Sequence, residues 1–90
     1  MSPEERMEQL RASLQQALTP ERLDIVDNSA GHAGHAGNTG GGHYTVTIVS
    51  GAFRDKSTIE RHRLVYLAVD RMMPAEIHAL SIQALTPDEA

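Results

Sequence analysis

Six of the seven glycines in this 90-residue chain fall in one short stretch: Gly31, Gly34, Gly37, Gly40, Gly41 and Gly42. A segment so rich in glycine has a large backbone entropy to lose and is a poor helix or strand. It therefore divides the chain into a part before it and a part after it, each of which must supply its own regular elements. The stretch is also longer than most hairpin connections, which points to a functional role.

The part before the glycines reads as a helix and a short strand. Ser2 can cap, Pro3 suits a first helical position and Glu5 completes a capping box. Met7, Leu10, Leu14 and Leu18 then recur on one helical face until Thr19-Pro20 stops the run. Leu23 to Val26 is a short apolar strand, and Asp27-Asn28-Ser29 is turn chemistry.

The part after the glycines reads as strand, helix, strand. His43 to Ser50 carries the β-formers Thr45, Val46, Thr47, Ile48 and Val49. Gly51 to Lys56 is a turn, and Ser57-Thr58-Ile59-Glu60 is a second capping box opening a second helix. On that helix Ile59, Arg63, Tyr66 and Asp70 share one face and Leu64, Leu67, Ala68 and Arg71 another, while Val65 and Val69 extend the apolar side. Pro74 interrupts it, with a short helical turn expected through Glu76. Ile77 to Leu85 reads as a final strand, followed by a polar tail, Asp88-Glu89-Ala90.

The order α-β-β-α-(α)-β implies an α+β fold, a two-layer α/β sandwich with a three-stranded mixed sheet. The strands flanking the glycines should pair antiparallel, and the last strand, after a helical crossover, should run parallel to a neighbour. Residues 1–90 are expected to form a single domain with a modest core. Phe53, Tyr44 and Tyr66 are the only aromatics, so that core must rest on aliphatic side chains.

The formal net charge of −4 argues against coating nucleic acid by bulk charge. From Gly51 to Met73, however, five basic residues (Arg54, Lys56, Arg61, Arg63, Arg71) face three acidic ones (Asp55, Glu60, Asp70), leaving a local basic stretch. Arg61 and Arg63 have the fork geometry for phosphate; the ordinary reading is a solvated helix surface. There is no cysteine, hence no disulfide framework and no thiolate metal site within the chain. No N-terminal apolar stretch reads as a signal peptide and no run approaches membrane-spanning length, so a soluble, cytoplasmic protein without a membrane partner is expected. No Ser-His-Asp or paired-carboxylate spacing is defensible, and the glycine stretch lies between strands and leads into no helix, unlike a nucleotide fingerprint; a non-enzyme is expected.

The five histidines carry the remaining chemistry. His32 and His35 sit among the glycines, His43 starts a strand, His62 lies in the basic run and His78 opens the last strand. Taken alone, an H-x-x-H pair in a surface loop most often binds nothing. By strand alternation His78 shares a face with Leu80, Ile82 and Ala84, where a histidine hydrogen-bonded to backbone is the ordinary reading.

Four segments in order, VDNSAGH (Val26 to His32), GGHYTVTIVSGAF (Gly41 to Phe53), KSTIERHRLVY (Lys56 to Tyr66) and IHALSIQALTPDE (Ile77 to Glu89), together resemble the BolA family. The resemblance covers the chain from about Leu23 to near its C-terminus. It implies a fold similar to the type II KH fold. It also implies a partnership with a monothiol glutaredoxin in which a [2Fe–2S] cluster is shared, glutathione and the glutaredoxin supplying sulfur and this chain supplying histidine. By the family's pattern the ligands are His78 and His32, with His35 an alternative in the loop; His43 takes a structural or supporting role. No cofactor is expected in the isolated protein. Imidazole ligation raises the reduction potential relative to all-thiolate ligation, and imidazole is lost on protonation, so binding should weaken below about pH 6.

The resemblance thus implies an adaptor in cluster assembly or trafficking, or an iron sensor. The second expectation, also implied by the family, is a DNA-binding transcriptional regulator using Lys56, Arg61, His62 and Arg63. Asp55 stands where the family usually has glycine, and its charge would repel phosphate. A homodimer is compatible with either.

Overall fold

The computed structural model of the chain describes residues 2–28, 42–73 and 75–90. Helix α1 spans Pro3–Leu18, and its capping box forms as the sequence requires: the Glu5 amide donates to Ser2 Oγ at 3.1 Å, and the Ser2 amide to Glu5 Oε1 at 3.2 Å. Helix α2, Thr58–Ala68, is opened by the same device, Glu60 amide to Ser57 Oγ at 3.2 Å and Ser57 amide to Glu60 Oε1 at 2.8 Å.

The strands are β1 (Arg22–Asp27), β2 (Gly42–Val49) and β3 (Ile77–Leu85), in sheet order β1-β2-β3. β1 pairs antiparallel with β2, and β3 runs parallel to β2, as the helical crossover demands. One-residue shifts separate β1 and β2 from the sequence reading; β3 matches it end to end. The turn after β2 tightens into a 3-10 helix, Gly51–Phe53. A second 3-10 turn, Asp70–Met72, follows α2, and the Glu76 amide donates to Met72 O at 2.8 Å, closing the turn expected through Glu76.

Alternation sorts the sheet into two faces. On the covered face Tyr44 lies beside Leu80, Val46 beside Ile82 and Ile48 beside Ala84, with Leu23 and Ile25 of β1 completing the layer. Leu10, Leu14 and Leu18 of α1 and Val65 of α2 close over it, with Phe53, Val69, Met72 and Ile77 filling the ends. Each fully buried side chain of this kind contributes roughly 1.5–3 kcal/mol. Neither of the two faces read for α2 turns inward as a whole: Val65 and Val69, read as extending the apolar side, are buried with Leu64 and Ala68 partly buried beside them, while Leu67 is 73% and Ile59 65% exposed.

β3 is an edge strand, and α2 covers its outer side. Ser50 N–H donates to the Leu85 carbonyl at 2.9 Å, which directs Leu85 towards β2 and leaves the carbonyls of Ala84 and Leu80 pointing outward. Arg61 Nη1 donates to Ala84 O at 3.1 Å, and the Tyr66 hydroxyl lies 3.4 Å from Leu80 O. Among the described residues no helix is long and apolar enough to cross a membrane.

Candidate functional site

The pairing of β2 with β3 is irregular at one point. Gly42 lies opposite Ile77, yet the next residue, His43, lies opposite Ala79. The extra residue on β3 is His78, a bulge of the kind that re-aims a side chain. Alternation had placed His78 with Leu80, Ile82 and Ala84. The bulge moves it off that face, and its ring stands 5.2 Å from that of His43, centroid to centroid, with the planes tilted by 34°. His78 is exposed and His43 half-buried. The starts of β2 and β3 thus present two adjacent imidazoles, one from each strand.

Beneath this pair the chain is held from several sides. The Gly42 amide donates to Glu76 O at 3.0 Å, and the Glu76 amide to Met72 O at 2.8 Å. The Glu76 carboxylate lies 3.4 Å from Arg6 Nε, a part-buried ion pair joining α1 to the turn that precedes β3. On the other side, the Asn28 amide donates to His43 O at 2.7 Å and Asn28 Oδ1 accepts from the Thr45 hydroxyl at 2.7 Å.

Tyr44, 2% exposed, lies between these elements, and its ring occupies the space a side chain at Gly42 would need. Its hydroxyl finds no hydrogen-bond partner among the described residues. Burial pushes the phenol above its ordinary range, against the pull of the Arg6 guanidinium, and the Asp27 and Glu76 carboxylates add to the rise. Burial opposes the charge of Arg6, but Tyr44 and Glu76 outweigh it, so the guanidinium is held more firmly protonated than usual. Arg6, Gly42 and Glu76 were not singled out from the sequence; nothing in local pattern couples residues 70 positions apart.

His32 and His35, the loop ligands expected from the sequence, lie outside the described residues. Among the described residues no group of three or more His, Asp or Glu side chains is arranged to hold a metal. With no cysteine in the chain, it can offer a metal only nitrogen and oxygen donors, and any thiolate must come from another molecule.

The basic segment is arranged differently from a phosphate-binding fork. Arg61 donates through Nη1 and Nη2 to the Glu89 carboxylate at 2.6 and 3.3 Å, through Nε to Lys56 O at 2.9 Å and through Nη1 to Ala84 O. Glu89 also accepts from the Thr86 amide at 2.8 Å, so the segment read as a polar tail is a structural turn. Arg54 pairs with Asp88 at 2.7 Å. Arg63 remains exposed, and Lys56 and His62 are half-buried near the start of α2. Asp55 adopts a left-handed backbone, φ 60°, which explains why glycine suits that turn.

Known proteins share this fold. The family model described as BolA-like protein matches residues 14–89. Mouse BolA-like protein 1 is 45% identical over 78 residues, covering 87% of this chain and 56% of that protein; the chain spans about half the length of the curated relatives of that name. The solved BolA domain of SufE1 from Arabidopsis thaliana superposes with a TM-score of 0.81 at 40% identity, covering all of both chains. BolA1 from the same plant superposes at 0.80 with 38% identity, covering 94% of this chain and 95% of that one. The two helices on a three-stranded mixed sheet, and the sequence that builds them, place this chain in the BolA family.

Proposed function

We propose that this protein is an adaptor in iron–sulfur cluster assembly or trafficking, or in iron sensing, acting as the histidine-bearing partner of a monothiol glutaredoxin. The observation that carries the reading is His78, an exposed imidazole held at a bulge in a BolA domain that has no thiol of its own. The occurrence of a BolA domain in a protein named SufE1 supports the same field of chemistry.

The donor set fits. His78, with His32 or else His35 from the glycine loop, would hold the cluster from this side, while the glutaredoxin and glutathione supply thiolates. Nitrogen ligation of such a cluster raises its reduction potential and makes its retention sensitive to acid. This chain's own part is to present an imidazole at a fixed place. Arg6, Glu76 and Gly42 position the turn before β3, so the ligand needs little reorganisation on binding.

Mixing the protein with cluster-loaded monothiol glutaredoxin and glutathione tests this. A 1:1 complex with an altered visible circular dichroism spectrum, lost in His78→Ala, is expected. Absence of a complex, or an altered spectrum that survives His78→Ala, overturns the assignment.

A further inference from the structure

We propose that His43 and His78 together form a binding site for a single divalent transition-metal ion in the free protein. This assigns His43 a ligand role and requires no partner protein.

The spacing of the two rings suits a chelate. Imidazole nitrogen binds zinc at about 2.0–2.1 Å. Adding the distance from ring nitrogen to ring centre, two imidazoles on neighbouring positions of a tetrahedral ion have centroids roughly 5 Å apart. His43 and His78 stand at 5.2 Å. Carried back from the His43–Ala79 pairing, a regular register would set His78 opposite Gly42 on the other face; the extra residue re-aims it towards His43.

The surroundings agree. His78 is exposed and His43 half-buried, so an ion reaches the pair from solvent while keeping water in its remaining positions. The backbone of both residues is fixed, by Asn28 on the His43 side and by the Gly42–Glu76 hydrogen bond just before His78. A second imidazole held at this range acts at an effective concentration on the order of millimolar or above. His43 makes a further interaction as well. That is compatible with ligation, because a ligating histidine uses one ring nitrogen and commonly commits the other to a hydrogen bond.

The ligand class follows from the donors. Two neutral nitrogens suit Zn²⁺, Ni²⁺ and Cu²⁺, not the hard, oxygen-seeking Mg²⁺ or Ca²⁺. An ion there engages the imidazole that the proposed cluster would use, so the two loads compete for His78.

The test uses the free, untagged chain, so its outcome does not depend on the glutaredoxin reading. Zn²⁺ is titrated while the ring nitrogens of all five histidines are followed by NMR. The expected result is joint movement of the His43 and His78 ring nitrogens, saturating at one ion per chain. Binding should be at least tenfold weaker in His43→Ala and in His78→Ala. Mg²⁺ at the same concentrations should produce no shift. Wild-type affinity in His43→Ala, or movement confined to His32 and His35, overturns the proposal. Urea midpoints of the variants, compared with wild type, establish that a loss of binding is not a loss of fold.

Discussion

The ring of Tyr44 lies across the α-carbon of Gly42: a Cβ added at Gly42 would collide with Tyr44 Cε2 and fall 2.7 Å from its Cζ and hydroxyl oxygen. Glycine is required here by its neighbour, two residues along the same strand, and not by a left-handed backbone. Gly42→Ala should therefore destabilise the domain by about 1–3 kcal/mol, the range for an overpacked core. Shrinking the ring in Gly42→Ala/Tyr44→Leu should restore part of that loss. Urea denaturation of the four proteins gives the coupling, and strict additivity would show that the ring is not the obstacle.

Two of the described residues, Thr19 and Asp55, bear a left-handed backbone that glycine adopts more easily. Thr19 caps α1 at φ 40°, and Asp55 turns the chain at φ 60°. A β-branched residue in this region is strained by about 1–2 kcal/mol, against roughly 0.5–1 kcal/mol of extra entropy for glycine in the unfolded chain. Thr19→Gly should raise stability by about 0.5–1 kcal/mol, seen as a higher urea midpoint at unchanged slope. Asp55→Gly should gain less, since aspartate tolerates this conformation better.

The Glu89 carboxyl titrates at about 2, lowered from 4.5 chiefly by its hydrogen bonds to Arg61 and then by the Thr86 amide. Its folded pKa lies below the unfolded value. The stabilisation is therefore complete above about pH 4.5 and lost as pH falls towards 2. A carboxyl-carbon NMR titration should place the Glu89 midpoint near 2 in the wild type and return it towards 4.5 in Arg61→Gln.

His78 and Phe53 separate binding from folding. His78 is exposed, so His78→Ala should leave stability within about 0.5 kcal/mol of wild type. Phe53 is fully buried beneath the 3-10 turn, and Phe53→Ala should cost about 3–5 kcal/mol, enough to unfold much of a small domain. Thermal melts of the two variants compare these directly.

What could be read from the sequence was whatever depends on near neighbours. Both capping boxes join residues three apart, and both form. The bounds of β3 and its parallel pairing follow from alternation and a helical crossover. The inward face of α2 was less legible, because Leu64 to Val69 is an almost unbroken apolar run and period alone does not choose a face. The bulge at His78 has no local signal: period-two counting put that imidazole among leucine and isoleucine, whereas the register change brings it to His43. The Arg61–Glu89 contact was missed for the same reason. It joins a helix to a C-terminal turn that composition alone marks as a solvated tail.

The covering of β3 by α2 has a consequence for how the protein behaves at high concentration. Ile77 to Leu85 contains no charged side chain, so it lacks the usual gatekeepers against strand-to-strand association. Arg61 and Tyr66 stand in for them by occupying two outward carbonyls. Loss of the Arg61 side chain would then expose a template for fibril growth as well as weaken the fold, and an Arg61→Ala/Tyr66→Phe variant should aggregate under conditions where the parent chain stays dispersed.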